Sequence, residues 1–366
     1  MIGIKEILED AVAHGASDVH LTVGSPRAYR VDGEIIFIGE QPLQPGDTEE
    51  LIKQFMNPRQ RQLFEEGSDY DLAVSISGLR RFRANVFRQR GTVGIALRHI
   101  RGRIQDFKEL NLPEVMERIG QLRRGLVLIT GTTGSGKSTT LASTVDYINR
   151  TRACHILTLE DPIEFLHTNK KSIVTQREIS IDTRDFMRAL KAAMREDPDV
   201  ILIGEMRDPE TFQAAISASE TGHLVFSTLH TTNVMMTIDR ILDLFPSTQQ
   251  DQVRAQLALQ LKTSVAMRLL PKKGDEGRVP AVEVMLVNPA IAQLIRENNI
   301  KRIPTAILAG KEEGMQSFNM SLASLVKQGL VDEEEAVLHS DNPEELRMNL
   351  QGIFLSQQTR GGILRK

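Results

Sequence analysis

The sequence has little of what several protein classes depend on. Its 366 residues include one cysteine, Cys154, and no tryptophan, and only 4% are aromatic. A single cysteine excludes a disulfide framework and any zinc site built from several cysteines. Scarce aromatic residues argue against a surface that stacks the bases of single-stranded nucleic acid. We therefore expect a globular protein without disulfide bonds and with no direct nucleic-acid partner.

Charge and hydropathy further limit the classes of protein to which this chain could belong. The formal net charge is −3, so the chain has no overall positive excess that would attract nucleic acid. No apolar run reaches the roughly 18 residues that a bilayer span requires. The opening residues, MIGIKE, do not have the pattern of a signal or transit peptide. These features predict a cytoplasmic protein that is peripheral at a membrane only through protein partners.

The most informative stretch is LITGTTGSGKSTT, residues 128–140, which contains the pattern Gly-x-x-x-x-Gly-Lys-Ser between a strand candidate and a helix candidate. Glycines let a backbone wrap around an anion, and a helix N-terminus attracts negative charge. We predict that this loop binds ATP, with Lys137 at the β- and γ-phosphates and Ser138 as a ligand of Mg²⁺. The predicted nucleotide-binding residues are Gly131, Thr132, Thr133, Gly134, Ser135, Gly136, Lys137, Ser138 and Thr139.

Apolar patterning predicts an α/β protein with two domains. Residues 1–100 combine strand candidates with helix candidates at 1–16 and Thr48–Glu65, as in a small α+β domain. Residues 101–120 are the predicted linker. Residues 121–355, where buried strands alternate with helices, form the predicted ATPase domain, and residues 356–366 form a flexible tail. Strands are predicted at 126–130, 155–160, 172–176, 200–203 and 224–229, and the chain after Pro246 is predicted to be mostly helical, with a possible strand at 279–286.

Two of the predicted strands are followed by carboxylates. HILTLEDPIEF carries Glu164, and DPDVILIGEMRDPETF carries Glu205 directly after Gly204. Near a phosphate-binding loop, one such acid can orient a hydrated Mg²⁺ while another polarises the attacking water. We expect Glu164 and Glu205 to face the nucleotide, with Glu205 contacting the Mg²⁺ ion through water.

The same two stretches also contain Asp161-Pro162 and Asp208-Pro209, each of which has the pattern of an N-cap followed by proline at the first helical position. A purely structural interpretation of the acids is therefore available. We expect both roles to hold, so that each Asp-Pro pair begins a helix.

A further strand in SETGHLVFSTLHTTN is flanked by His223 and His230. His230 follows the strand among threonines, as a residue that senses the γ-phosphate would. Two histidines without a third ligand make a weak metal site, and a lone histidine is more often a core residue. We predict phosphate sensing chiefly for His230.

Taken together, these stretches resemble a known family. GTTGSGKSTT, LEDPIEF, REDPDVILIGEMRDPET and TGHLVFSTLHT are similar to the Walker A, Asp-box, Walker B and His-box of the secretion-ATPase superfamily (GspE/VirB11 class). GASDVHL, GLRRFRANVF and EGMQSF extend the resemblance toward the type IV pilus retraction ATPases (PilT type). The resemblance implies a PAS-like N-terminal domain and a RecA-like ATPase domain with a helical C-terminal part, arranged in hexameric rings.

The resemblance also implies roles and partners. Glu164 would be the catalytic Asp-box glutamate, Glu205 the Walker B glutamate, and His223 and His230 the His-box pair. The implied activity is ATP hydrolysis that drives pilus retraction and twitching motility from the cytoplasmic side of the inner membrane. The implied partners are five further copies of the chain, an inner-membrane platform protein and a paralogous ATPase.

One stretch departs from the pattern. Retraction ATPases typically carry AIRNLIRE where this chain has AIAQLIRE, with Ala292 and Gln293 replacing arginine and asparagine. An accessory paralogue of the PilU kind therefore stays open as an alternative. The helix candidate NPAIAQLIRENN could contact a partner, or its Ile291, Leu294 and Ile295 could simply fill the core.

Arginines are concentrated between residues 80 and 103. A solvated basic face is the simplest interpretation. A ring ATPase also needs positive charge opposite its phosphate loop, and an arginine finger raises the rate by about 10³-fold or more. Arg83 and Arg98, which match segments of the family, are our candidates for reaching the γ-phosphate, in trans or on domain closure.

Three other functions remain open at this point. An assembly motor of the same superfamily is disfavoured, because that relative usually carries a four-cysteine zinc element. A helicase-like ring is disfavoured by the acidic pI of about 6.3 and the few aromatics. A nucleotide-binding switch with little turnover would be indifferent to Glu164→Gln, which should abolish hydrolysis in an ATPase.

Overall fold

The computed structural model describes most of the chain as two compact units. They comprise residues 1–103 with 164–166, and residues 104–163 with 167–366. The described residues are 3–31, 33–67, 69–75, 81–100, 103–179, 181–274 and 277–351. The tail predicted at 356–366 lies outside them, and the predicted domain limits stay predictions. No helix among the described residues is both long enough and apolar enough to cross a bilayer.

The first unit is built on an antiparallel sheet whose strand order is β3-β2-β1-β6-β5-β4. Helices pack on it around a core that includes Leu8, Tyr29, Phe64 and Phe82, all nearly inaccessible to solvent. Its helices are α1 (Ile4–Ala13), α2 (Pro45–Phe55) and α3 (Pro58–Glu66). Its strands are β1 (Asp18–Leu21), β2 (Arg27–Val31), β3 (Glu34–Ile38), β4 (Asp69–Ser75), β5 (Arg81–Gln89) and β6 (Thr92–His99).

The single helix predicted over Thr48–Glu65 is wrong in detail, because the structure has two helices there. Asn57 adopts an extended conformation, and its side chain accepts a hydrogen bond from Gln60 N. Pro58 follows at the first helical position, where its missing N–H costs nothing. The Asn57-Pro58 pair is thus a helix start that apolar periodicity alone did not reveal.

The second unit is built on a mixed sheet whose strand order is β13-β12-β7-β11-β10-β8-β9. Its strands are β7 (Gly125–Thr130), β8 (His155–Glu160), β9 (Ile173–Glu178), β10 (Val200–Ile203), β11 (Leu224–Leu229), β12 (Leu261–Pro271) and β13 (Arg278–Leu286). Its α-helices are α4 (Val115–Gly120), α5 (Lys137–Thr151), α6 (Phe186–Ala193), α7 (Pro209–Glu220), α8 (Val234–Asp243), α9 (Ser247–Gln260), α10 (Pro289–Arg296), α11 (Ile303–Ala309), α12 (Phe318–Lys327), α13 (Glu333–Leu338) and α14 (Pro343–Leu350).

The central strands of this sheet bring the segments that follow them, including the phosphate loop (residues 131–138), to one edge. β7, β11, β10 and β8 are parallel neighbours, and β7, β10 and β11 are buried along their whole length. Parallel strands that are buried on both faces are typical of a sheet with helices packed on each side. In register, Thr130 lies beside Leu229, and Ile203 beside Leu159. The residues that follow these four positions therefore gather at the carboxyl edge of the sheet.

Two predictions for this unit need correction. β12 lies in a stretch predicted to be mostly helical, because its apolar residues are buried on both faces and show no alternation. Asp161-Pro162 begins no helix, since the chain from Asp161 to Ser172 is irregular. Asp208-Pro209 does begin one: the Asp208 side chain accepts from Thr211 N at 2.7 Å.

Candidate functional site

The phosphate loop lies where β7 ends and α5 begins. Gly131, Gly134 and Gly136 have φ angles of 149°, 78° and 96°, which L side chains rarely adopt. A Cβ atom on Gly131 would also come within 2.3 Å of Ser135 Oγ and 2.7 Å of Met267 O. Gly131 is therefore packed against the Ser135 side chain and the backbone of β12, and glycine is required at this first position of the loop.

Lys137 and Ser138 begin α5 directly after this loop. The Lys137 ammonium group donates hydrogen bonds to Gly131 O at 2.7 Å and to Thr132 O at 2.9 Å, so its charge is held against the loop. The Ser138 hydroxyl and the Glu205 carboxylate supply the hard oxygen ligands that Mg²⁺ prefers. These residues fit a magnesium–triphosphate complex at the start of α5.

Glu205 is the centre of a charged group at the same edge of the sheet. Arg207 Nη2 donates to Glu205 Oε2 at 2.7 Å, and His230 Nε2 lies 3.4 Å from Glu205 Oε1. The preceding Gly204 donates its N–H to Leu159 O at 2.8 Å. A Cβ atom there would lie 3.3 Å from the same oxygen, which leaves little room for any other residue before Glu205.

The surrounding charges keep Glu205 ionised. Burial raises its pKa, but the hydrogen bond from Arg207 and the positive charges of His230, Arg207 and Lys137 outweigh burial, so the pKa lies below its ordinary value. Lys137 of the phosphate loop is the last of the charges that lower the pKa of Glu205. The Arg207 side chain is 73% exposed, so this ion pair is weak and readily exchanged. Glu205 is therefore a charged acceptor available to water or a cation.

A cavity of about 640 Å³ adjoins this group, and Glu205, Arg207 and His230 are among its lining residues. Its lining also includes Asp239 and Asp243 of α8. A cavity of this size is in the range of small-molecule sites. The Glu205 group thus faces accessible space and not a packed core.

The two histidines of the predicted His-box pair lie at opposite ends of β11. His230 follows the strand and meets Glu205, whereas His223 precedes it. His223 Nδ1 lies 2.9 Å from Ala218 O and 3.1 Å from Thr221 Oγ1, so its contacts are with the end of α7. The structure therefore brings His230 to the phosphate-loop edge and does not bring His223 there.

The other predicted catalytic residues belong to the first unit. Glu164 is exposed, in the short segment that groups with that unit. Arg83 and Arg98 are direct cross-strand neighbours on β5 and β6. Arg98 Nε donates to Asp18 Oδ1 at 2.8 Å, and Arg83 Nε lies 3.8 Å from Asp71 Oδ1. The two arginines form one exposed pair of cations, and the catalytic roles of all three residues stay predictions.

Sequence reasoning missed Arg207 and Thr228. Thr228 Oγ1 donates to Gly204 O at 2.6 Å and thereby fixes the backbone before Glu205. The stretch GEMRDPET that supplied Glu205 also contains Arg207, so a signal was present. Only the folded chain shows that its guanidinium turns back onto the carboxylate.

Comparison with known proteins identifies the family of this chain. The model of the type II/IV secretion system protein family matches residues 1–338. This chain belongs to that family. The type IV pilus retraction ATPase PilT of Pseudomonas aeruginosa is 46% identical over 93% of this chain and 99% of its own length. The type IV pilus ATPase PilU of the same organism is 40% identical over 94% of this chain and 90% of its own length.

A solved structure extends the comparison to the fold. The crystal structure of the pilus retraction motor PilT with bound ADP has a TM-score of 0.89 and 49% sequence identity, covering 95% of this chain and 99% of that one. The predicted resemblance to secretion ATPases of the retraction type is thereby confirmed. So are the predicted fold class, a sheet-containing N-terminal unit followed by a RecA-like ATPase unit, and the predicted enzyme class, an ATPase.

Proposed function

We propose that this protein is the ATP-hydrolysing motor of type IV pilus retraction, which removes pilin from the fibre and so drives twitching motility. The observation that carries the proposal is the gathering of Lys137, Glu205 and His230 at one edge of the sheet. Similarity to a retraction ATPase over nearly the whole length of both chains supports the direction of the motor.

The residues at this edge divide the work of hydrolysis. Lys137 exchanges its bonds to the loop carbonyls for bonds to the β- and γ-phosphate oxygens. Ser138 and, through water, Glu205 would hold Mg²⁺, which when bound neutralises charge on those oxygens. His230 contacts the γ-phosphate. Because its Nε2 atom also lies 3.4 Å from Glu205 Oε1, the imidazole can respond to the presence or loss of the γ-phosphate and change its contact with that carboxylate. Arg207, through its hydrogen bond to Glu205, helps to lower the pKa of that carboxylate.

Three further residues keep their predicted roles in this proposal. Glu164 polarises the attacking water, since an exposed carboxylate can accept a proton from it. Arg83 and Arg98 stabilise the charge that develops on the γ-phosphate, from the same chain or from a neighbouring one. The motor acts as a homohexamer in the cytoplasm, docked on the inner-membrane platform protein of the pilus machine.

A second candidate is an accessory ATPase that assists a main retraction motor. It is favoured by the Ala292-Gln293 departure in α10. Gln293 is exposed there, whereas Ile291 and Ile295 are fully buried and Leu294 packs partly against the core. The apolar residues of α10 thus fill the core, and Gln293 stands where a partner could contact it.

Deletion of the gene tests both candidates. A main retraction motor predicts hyperpiliated cells that do not twitch, restored by the wild-type gene but not by Glu205→Gln. An accessory ATPase predicts surface pili that are unchanged in number. Bald cells would indicate an assembly motor and would overturn the proposal.

A further inference from the structure

The short loop between His230 and α8 is bound by two side chains from distant parts of the chain. Arg268 Nη2 donates to Thr232 O at 3.3 Å, and Val234 N donates to Glu283 Oε2 at 2.8 Å. A backbone carbonyl and a backbone amide on either side of the loop are thus fixed by β12 and β13.

Strand pairing explains why these two side chains act together. Glu283 lies opposite Ala266, and Arg268 lies opposite Ala281, in the antiparallel register of β12 and β13. Alternate residues of a strand share a face, so Arg268 and Glu283 project from the same side of the pair. Helix α8 packs against both strands. Both side chains therefore reach the start of α8 from the same face of the strand pair.

Glu283 accepts a hydrogen bond from an N–H group at the start of α8. The first N–H groups of a helix have no partner within it. Asn233 caps α8 by accepting from Met236 N at 2.8 Å, and Glu283 accepts from Val234 N. The Glu283 side chain is only 8% exposed, an environment in which carboxylates are rare without a specific partner.

Arg268 connects the same loop to the helical C-terminal part. Its guanidinium donates to Asp341 Oδ1 at 2.7 Å and to His339 O, and it lies 4.0 Å from the centroid of the Phe318 ring. Burial against these groups limits its movement. Arg268 therefore joins the loop after His230 to α12 and to the segment between α13 and α14.

Buried hydroxyl groups fix the other side of the loop. Thr231, next to His230, lies 2.7 Å from Thr237 through their Oγ1 atoms. Thr237 Oγ1 in turn lies 3.4 Å from Thr130 Oγ1, and Thr130 directly precedes Gly131 of the phosphate loop. His230 thus stands on a segment whose neighbours are anchored at both the phosphate loop and the β12–β13 pair.

We propose that Glu283 and Arg268 are positioning residues for ATP hydrolysis, which hold the loop after His230 so that the imidazole stays beside Glu205. This inference rests on the proposed role of His230. Neither residue touches the nucleotide; each acts through the backbone of the loop.

Paired substitutions at Glu283 test the inference in the purified full-length protein. Glu283→Leu removes the acceptor for Val234 N–H, whereas Glu283→Gln keeps an oxygen of the same shape in the same place. We expect Glu283→Leu to lower kcat by about 10- to 100-fold, because a shift of about 1 Å at a reacting group can cost about 100-fold. The KM for ATP should change by less than about threefold, and Glu283→Gln should retain kcat within about threefold.

The same change in a His230→Ala chain separates this inference from the proposed function. If Glu283 acts through His230, Glu283→Leu should lower kcat there by less than about twofold. An equal loss in both backgrounds, or full activity of Glu283→Leu, would overturn the inference and leave the site as described. Full activity of His230→Ala would overturn the proposed role of the site itself. Should Glu283→Leu not fold, Arg268→Gln, at a partly exposed position, gives the same readout and decides the matter.

Discussion

The two ends of β11 carry the same residue type in different surroundings. At its amino end, the hydrogen bonds of the His223 imidazole are local, with Ala218 and Thr221. At its carboxyl end, His230 meets Glu205 from the segment after β10, and the loop that follows is fixed by Glu283 from β13. At the carboxyl edge, parallel strands bring side chains from distant segments together, as the proposed site requires.

The largest expected difference comes from replacing each histidine in turn. His230→Ala should lower kcat by about 10- to 1000-fold, as does the loss of one group that stabilises charge in a transition state. His223→Ala should change kcat by less than about threefold, because its contacts are with the end of α7. Phosphate release by the purified protein at saturating ATP measures both. An equal loss of kcat in the two variants would contradict the proposal that only the carboxyl end of β11 takes part in hydrolysis.

A smaller effect tests how the loop at the carboxyl end is anchored. Burial, together with the negative charge of Asp341, raises the pKa of Glu283 to about 7, while the bond from Val234 N–H and the charge of Arg268 lower it. The folded chain therefore keeps a proton that the unfolded chain releases above about pH 4.5. Folding stability from this group is greatest at low pH and declines as the pH rises to about 7.

Glu283→Gln removes this titration without removing the acceptor. At pH 5 the wild type and the variant should have nearly equal Tm values, because a protonated carboxyl group and an amide are both neutral. At pH 8 the variant should be more stable by on the order of a few degrees. Thermal unfolding at the two pH values measures the difference. A difference in Tm that does not change with pH would show that Glu283 titrates normally in the folded protein.

The sequence predicted the parallel strands of the second unit well, for a physical reason. Short apolar runs such as Val200–Ile203 and Leu224–Leu229 are buried on both faces and are bounded by loops, so their limits are visible in the pattern. β12 was missed because the same kind of run, placed directly after α9, cannot be told from a buried helix by periodicity.

The site was predictable where one motif supplies several residues and unpredictable where the fold joins separate segments. The glycine spacing around Lys137 predicted the phosphate loop, which lies between β7 and α5, and the acid after a buried strand predicted Glu205; the catalytic roles of these residues stay predictions. Nothing in the sequence indicated that Arg268 and Glu283 contact the loop after His230, because that contact depends on the register of β12 and β13. Both residues are more than 30 positions away from that loop in the sequence, so only the folded structure shows the contact.

The most direct measurement is a structure of the assembled protein with Mg²⁺ and a non-hydrolysable ATP analogue. We expect the triphosphate at residues 131–138, with the Lys137 ammonium bonded to phosphate oxygens instead of to Gly131 O and Thr132 O. Glu205 and His230 should face the γ-phosphate, and His223 should keep its contact with Ala218. A triphosphate bound elsewhere, or His230 turned away from it while Lys137 keeps its bonds to the loop, would contradict the account.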